Sequence, residues 1–257
     1  MNVPHLPSLL GVFAHPDDKS LLAGGVLAQH AAAGAATAVV TATWAPDTHR
    51  AAELTDALAV LGAGKPRMLG YADARIPHSA PGKSRLCDAT LDDVVEVLVG
   101  HIRELRPDIV VTHDAYGQLT GHPDHIHTHR VTLLAVHAAG LRHLYPHAGA
   151  PWKPSALYVA THPESGIDEL GSLLQRVGKR VHSAPDEQVT ATVDVSSWAE
   201  TKWAAILAHR SQVESQRPLP ALLSGLTADD RHRILATEWY TRLDTKPAPG
   251  PQRDLTP

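Results

Sequence analysis

The chain has one cysteine, Cys87, among 257 residues. A lone thiol forms no internal disulfide and no thiolate metal cluster, so any metal must be held by histidine and carboxylate. Basic excess is also missing: Lys and Arg number 23 against 27 Asp and Glu, a net charge of −4. That balance gives no field for gripping nucleic acid. No apolar run approaches the roughly 18 to 20 residues of a membrane span, and no basic segment precedes the short apolar stretch near the start. A cytoplasmic location is therefore expected. The Gly-x-Gly-x-x-Gly and Walker phosphate loops are absent, and Gly24-Gly25 does not replace them. A nucleotide-binding regulatory module accordingly lacks its fingerprint.

Histidine, by contrast, is abundant, with 18 copies. The surrounding pattern alternates short apolar runs with longer helical stretches, as in βα units building a mostly parallel sheet. Strands are predicted near Ser8–Ala14, Ala36–Thr43, Arg67–Gly70, Asp108–His113, Leu157–Thr161 and Gln188–Val195. Helices are predicted near Leu21–Ala33, His49–Leu61, Leu91–Leu105, Asp124–Ala139 and Trp198–Gln212, the last with Ser196 and Ser197 as N-cap candidates. Leu91, Val94, Val95, Leu98 and Ile102 recur at helical spacing and form one buried face. Residues 1–245 are expected to make one domain, and the proline-rich 246–257 a disordered tail. Loops are expected at Arg75–Cys87, Ala115–Gly121 and Tyr145–Pro154. The last would join a smaller C-terminal portion, and with Arg75–Cys87 it would shape a pocket.

Two histidine clusters carry the chemistry. The first strand runs into Ala14-His15-Pro16-Asp17-Asp18. Pro16 fixes its own φ and biases His15 toward extended backbone, so His15 and Asp18 can converge on one ion. Asp17 then lies beside a bound water as general base. An Asp N-cap with a histidine nearby is the alternative reading of this segment. The second cluster, Gly121-His122-Pro123-Asp124-His125, follows the fourth strand. In a sheet of order 3-2-1-4, strands one and four flank the topological switch point, so both clusters line one crevice. His125 completes two histidines and one aspartate with a position left for water, as catalytic zinc requires. His122 reaches the substrate carbonyl, with Asp124 fixing its tautomer or favouring its charged form. His125 and His129 could instead pair at i, i+4, but the Glu of H-E-x-x-H is absent, and His127 and His129 read as supporting or ordinary helix residues. His30, His101, His137, His143 and His232 read as surface or packed histidines.

With AHPDD at Ala14–Asp18 and GHPDH at Gly121–His125, the chain resembles the LmbE/PIG-L family of zinc-dependent N-deacetylases, which includes mycothiol-pathway and N-acetylglucosaminyl deacetylases. Arg50-Ala51-Ala52-Glu53-Leu54, Leu69-Gly70-Tyr71-Ala72-Asp73 and Glu238-Trp239-Tyr240 extend the likeness over most of the chain. The resemblance implies an α/β, Rossmann-like, mostly parallel sheet flanked by helices, with a smaller C-terminal portion completing the pocket. It implies zinc, with Fe2+ as the other candidate, on His15, Asp18 and His125. Asp17 would be the general base, His122 would assist the oxyanion or the leaving amine, and Arg50 and Asp73 would contact a sugar. The expected substrate is a small N-acylated aminosugar or conjugate, and the products acetate and a free amine. Oligomeric state is not legible in one sequence.

Two positions depart from the family pattern. Lys19 stands where the motif commonly continues to Glu, and a cation there would weaken the base or compete for the carboxylates, unless it points to solvent from the start of the helix. A catalytically weakened relative that binds an aminosugar-like ligand without efficient turnover is the alternative that Lys19 motivates. Thr120 stands where some relatives carry a tyrosine, for which Tyr116 is the candidate substitute.

Overall fold

The computed structural model describes residues 6–215 and 218–243. Seven strands, β1 (Leu9–Phe13), β2 (Thr37–Thr43), β3 (Arg67–Tyr71), β4 (Ile109–His113), β5 (Ala156–Thr161), β6 (Ala191–Asp194) and β7 (Thr237–Arg242), form one sheet of order β3-β2-β1-β4-β5-β7-β6. The first five are parallel, with Leu9 opposite both Thr37 and Ile109, and β7 closes antiparallel on β5 and β6. Every residue of β1 is buried, as expected of a central strand covered on both faces. Because β2 and β3 build to one side of β1 while β4 starts the other, the carboxyl ends of β1 and β4 bound the crevice.

Helices cover both faces: α1 (Asp18–Leu22), α2 (Gly24–Ala32), α3 (His49–Leu61), α4 (Leu91–Leu105), α5 (Pro123–Ala139), α6 (Asp168–Arg176), α7 (Ala199–Leu207), α8 (Arg210–Val213), α9 (Leu219–Ser224) and α10 (Ala228–Leu235). One apolar layer joins β1 and β2 to α2 and α3, and a second packs α4 and α5 on the opposite face. A third gathers α6, α7, α9 and α10 around Leu170, Leu174, Leu223 and Leu235. The α4 stripe buries Val94, Val95, Leu98, Val99 and Ile102, but Leu91, at its amino end, is 37% exposed and belongs to the surface. No helix among the described residues is long and apolar enough to cross a membrane.

The structure corrects several sequence expectations. The helix predicted over Leu21–Ala33 breaks at Ala23. A Cβ on Gly25 would stand 2.5 Å from that of Val195, so only glycine admits this approach. The new helix start is capped from afar, Gly25 N–H and Val26 N–H donating to the Glu238 carboxylate at 2.8 and 3.1 Å. The predicted Trp198–Gln212 helix breaks at Ala208–His209, and Ser196 and Ser197 lie in a 3-10 turn without capping it. The strand near Gln188–Val195 shortens to β6, and the antiparallel β7 is an addition. One of β7's inward positions is Glu238, a charge that masks the apolar alternation; Lys202 neutralises it at 2.7 Å. The segment Tyr145–Pro154 does not shape the pocket. It lies at the opposite, amino edge of the sheet, where Trp152 Nε1–H donates to Pro107 O and Arg103 donates to Tyr145 O and Gly149 O. The tail expected to be disordered lies outside the described residues.

Candidate active site

The turn after β1 is tied by its own side chain: His15 N–H donates to Asp18 Oδ2 at 2.7 Å. Asp17 holds the N-cap position of α1 but accepts no capping hydrogen bond, so the capping alternative fails here. Its Oδ1 instead pairs with the Arg50 guanidinium from α3. Burial works against charge on Asp17, but Arg50, aided by His209 and His15, outweighs it and holds the carboxyl below its ordinary range.

His125 arrives from the first turn of α5. Its Nε2 stands 3.0 Å from His15 Nδ1 and 3.4 Å from Asp18 Oδ1, while His15 Nδ1 is 3.3 Å from Asp18 Oδ2. Each ring is oriented from behind. His125 Nδ1 lies 3.1 Å from Gly117 O, and His15 Nε2 lies 3.2 Å from Asp73 Oδ2 and 3.3 Å from Asp124 Oδ2. Those acceptors place the protons on the far nitrogens, leaving two lone pairs and a carboxylate facing one another. Without a cation such a convergence is repulsive. Separations of 3.0–3.4 Å are in the range of groups that share an ion at about 2.0–2.1 Å, with Asp18 turning Oδ1 to His125 and Oδ2 to His15. Burial opposes a charge on His15, yet Asp18, Asp124 and Asp73 raise its pKa well above the ordinary value, so the field here favours positive charge. The donor set therefore fits a metal ion.

His122 sits T-shaped against His15, ring centres 4.6 Å apart. Its Nδ1 accepts the backbone N–H of Asp124 at 3.2 Å, which leaves the proton on Nε2. Burial, followed by His15 and His125, pushes it down to about 2, so it is a neutral donor. The Asp124 carboxylate, 3.8 Å from His122 Nδ1, is the closer partner of His15 and of Ala74 N–H, at 2.8 Å. His122 Nδ1 thus meets the backbone N–H of Asp124, while the Asp124 carboxylate faces His15.

Sequence reasoning passed over His113 as a site residue. It ends β4, stacks on His125 at 4.1 Å, and lies 3.3 Å from Asp18 Oδ2. Its Nε2 also stands 3.0 Å from Ala14 N, and His113, Asp18 and His125 form a further group of buried donors able to hold a metal. His129 Nδ1 lies 2.8 Å from His113 O, in the supporting role expected of it rather than in an i, i+4 pair. Asp73, whose Oδ1 accepts Arg75 N–H and Ile76 N–H, lines the same cavity as Arg50.

Lys19 does not point to solvent. It is fully buried, and its Nζ meets His209 Nε2 at 2.5 Å, within electrostatic reach of Asp17 and Asp18. Burial pushes the ammonium down to about 7, with Asp17 and Asp18 opposing. Thr120 lines the cavity, whereas Tyr116 is 44% exposed and does not take the tyrosine's place.

These features match known proteins over nearly the whole chain. The PIG-L family model, described as GlcNAc-PI de-N-acetylase, matches residues 10–136. A 1D-myo-inositol 2-acetamido-2-deoxy-alpha-D-glucopyranoside deacetylase of Rhodococcus jostii (strain RHA1) is 37% identical, the match covering 96% of each chain. A protein of the same name from Thermomonospora curvata is 31% identical, covering 94% of this chain and 92% of that one. Among solved structures, the conserved protein TT1542 from Thermus thermophilus superposes with a TM-score of 0.64 at 24% identity over 96% of this chain and 100% of that one. The N,N'-diacetylchitobiose deacetylase of Pyrococcus horikoshii gives 0.61 at 20% identity, over 92% and 84%. The structures establish the shared fold, and the sequence relatives establish that the chain belongs to the PIG-L family of de-N-acetylases.

Proposed function

We propose that this protein is a zinc-dependent amidohydrolase that removes the N-acetyl group from a small aminosugar, of the kind named for its relatives, an N-acetylglucosamine joined to inositol. The observation that carries the reading is the convergence of His15, Asp18 and His125 at 3.0–3.4 Å beside Asp17, on one cavity wall. Zinc held there by His15, Asp18 and His125 would supply a Lewis acid for the amide carbonyl and would lower the pKa of water toward about 7. Fe2+ suits the same nitrogen and oxygen donors.

The remaining work falls to the chain's own groups. Asp17, kept charged by Arg50 on Oδ1, takes the attacking water's proton on Oδ2. His122 donates Nε2–H to the carbonyl oxygen as charge builds on it. The proton held by Asp17 is then available to the departing nitrogen, and acetate and a free amine leave. Arg50, Asp73 and Arg75 line the same cavity, which supports reading them as contacts to sugar hydroxyls. Lys19 is committed to His209, which favours an active site over the weakened-relative reading.

Elemental analysis of protein purified without added metal tests the reading. About one zinc per chain, lost in His125→Ala but kept in Asp17→Ala, is expected, with amine release from an N-acetyl sugar abolished in both. Full turnover in Asp17→Ala would overturn the base assignment. Absence of binding even with added zinc would overturn the metal mechanism.

A further inference from the structure

Two basic residues open α3. His49 and Arg50 stand in its first turn, which holds no acidic residue, although the unpaired N–H groups of a helix start disfavour cations there. One indole receives both. The Arg50 Cζ lies over the Trp44 ring, 4.8 Å from its centre, and the His49 ring stands T-shaped to it at 5.7 Å. Trp44 and Arg50 are 7% and 4% exposed, so the stack is almost sealed from water. Trp44 follows the last residue of β2 and sits at φ 76°, in the left-handed region that a bulky side chain rarely adopts. Neighbouring backbone holds it there: Trp44 N–H donates to Tyr71 O at 2.9 Å and Ala45 N–H to Ser79 O at 3.0 Å. A buried tryptophan usually finds a hydrogen-bond partner, yet the Nε1–H of Trp44 has none among the described residues.

Strain and an unpaired donor are thus both tolerated where the indole meets Arg50. A guanidinium stacked by its face keeps its N–H edge for other partners, and from that edge Arg50 pairs with Asp17 Oδ1. We propose that Trp44 is a positioning residue for the reaction: it fixes the Arg50 guanidinium, which in turn holds Asp17 with Oδ2 left for the attacking water. The inference rests on the amidohydrolase reading and on Asp17 as its base. The links run from indole to guanidinium to carboxylate, and none of the three is a proposed metal ligand. Removing the indole therefore slows turnover and spares the metal.

The test is kcat and KM of the metal-containing enzyme on N-acetylglucosamine for Trp44→Phe and Trp44→Leu, each alone and combined with Arg50→Lys. Trp44→Leu is expected to lower kcat about tenfold, the scale of a desolvated cation–π contact, with little change in KM and zinc per chain kept. Trp44→Phe keeps a ring face and should recover most of that loss. Lysine keeps the charge of Arg50 but not the planar fork, so in Arg50→Lys the leucine change should cost less than about twofold more. Should Trp44→Leu fail to fold, Trp44→Asn, which suits left-handed backbone, takes its place with the same expected fall. Native kcat per folded molecule in the variant without the ring overturns the inference and leaves Trp44 a packing residue. A rise in KM at unchanged kcat also overturns it, assigning the stack to sugar binding, as does a full further loss on top of Arg50→Lys. No amine release by the native protein with metal bound overturns the amidohydrolase reading and this inference with it.

Discussion

Lys19 Nζ lies 2.5 Å from His209 Nε2, a contact between residues 190 apart in sequence and both 0% exposed. A residue that reads as an intruder among catalytic carboxylates is turned behind them, onto the corner between α7 and α8. Lys19→Glu adds a third buried carboxylate to Asp17 and Asp18. Like charges gathered out of water repel and strain the turn that carries Asp17, and His209 loses its partner, so amine release at neutral pH is expected to fall. Initial rates on an N-acetyl sugar check this. A rise would mean that Lys19 impairs the native site.

Asp124 faces His15, one of the proposed metal ligands. Its Oδ2 stands 3.3 Å from His15 Nε2 and fixes which ring nitrogen is left to bind. Asp124→Asn keeps the size and removes the charge, and metal affinity is expected to drop about 10–100-fold. Competition against a chelator reads this directly. Unchanged affinity would return Asp124 to the control of His122.

Arg103 gathers the far end of the fold. Its guanidinium donates to the carbonyls of Ala138, Ala139, Leu141, Leu144, Tyr145 and Gly149 at 2.6–3.3 Å, although the residue is 3% exposed. Arg103→Ala leaves several of these acceptors without a donor and should cost about 3 kcal/mol or more. Denaturant titration measures it. Turnover per folded molecule should hold, since the loop lies at the sheet edge opposite the site.

His162 gives the fold a pH dependence. Burial, with Lys202 adding to it, pushes its pKa from 6.5 down to about 4. The folded state therefore binds fewer protons than the unfolded chain between those values. Its contribution is fully present above pH 6.5 and is lost as pH falls toward 4. Because the ring keeps part of its surface at the cavity, the loss expected is about 2 kcal/mol, less than the full shift gives. The melting temperature of His162→Gln should fall less steeply over this range. Parallel curves would remove His162 from the acid response.

The parallel core was legible because strands β1 to β5 are short apolar runs separated by helical stretches, a pattern set by backbone geometry and side-chain period within each segment. The histidine clusters were legible for the same local reason. Pro16 and Pro123 shape the turns, and they follow β1 and β4, the strands that flank the point where the sheet order reverses. What the sequence could not decide is partnership across the fold. Whether Lys19 faces solvent or His209, whether Asp124 serves His122 or His15, and whether Glu238 belongs in a strand each depend on groups that only chain crossing brings together. Glu238 marks the limit most plainly: a carboxylate on an inward strand position hides β7 from any apolar pattern, and it is stable there because Lys202 and the amides of Gly25 and Val26 close on it. The cavity wall is decided in the same way: packing among α6, α7, α9 and α10 brings Leu170, Leu174, Leu223 and Leu235 from distant parts of the chain to one side of the site.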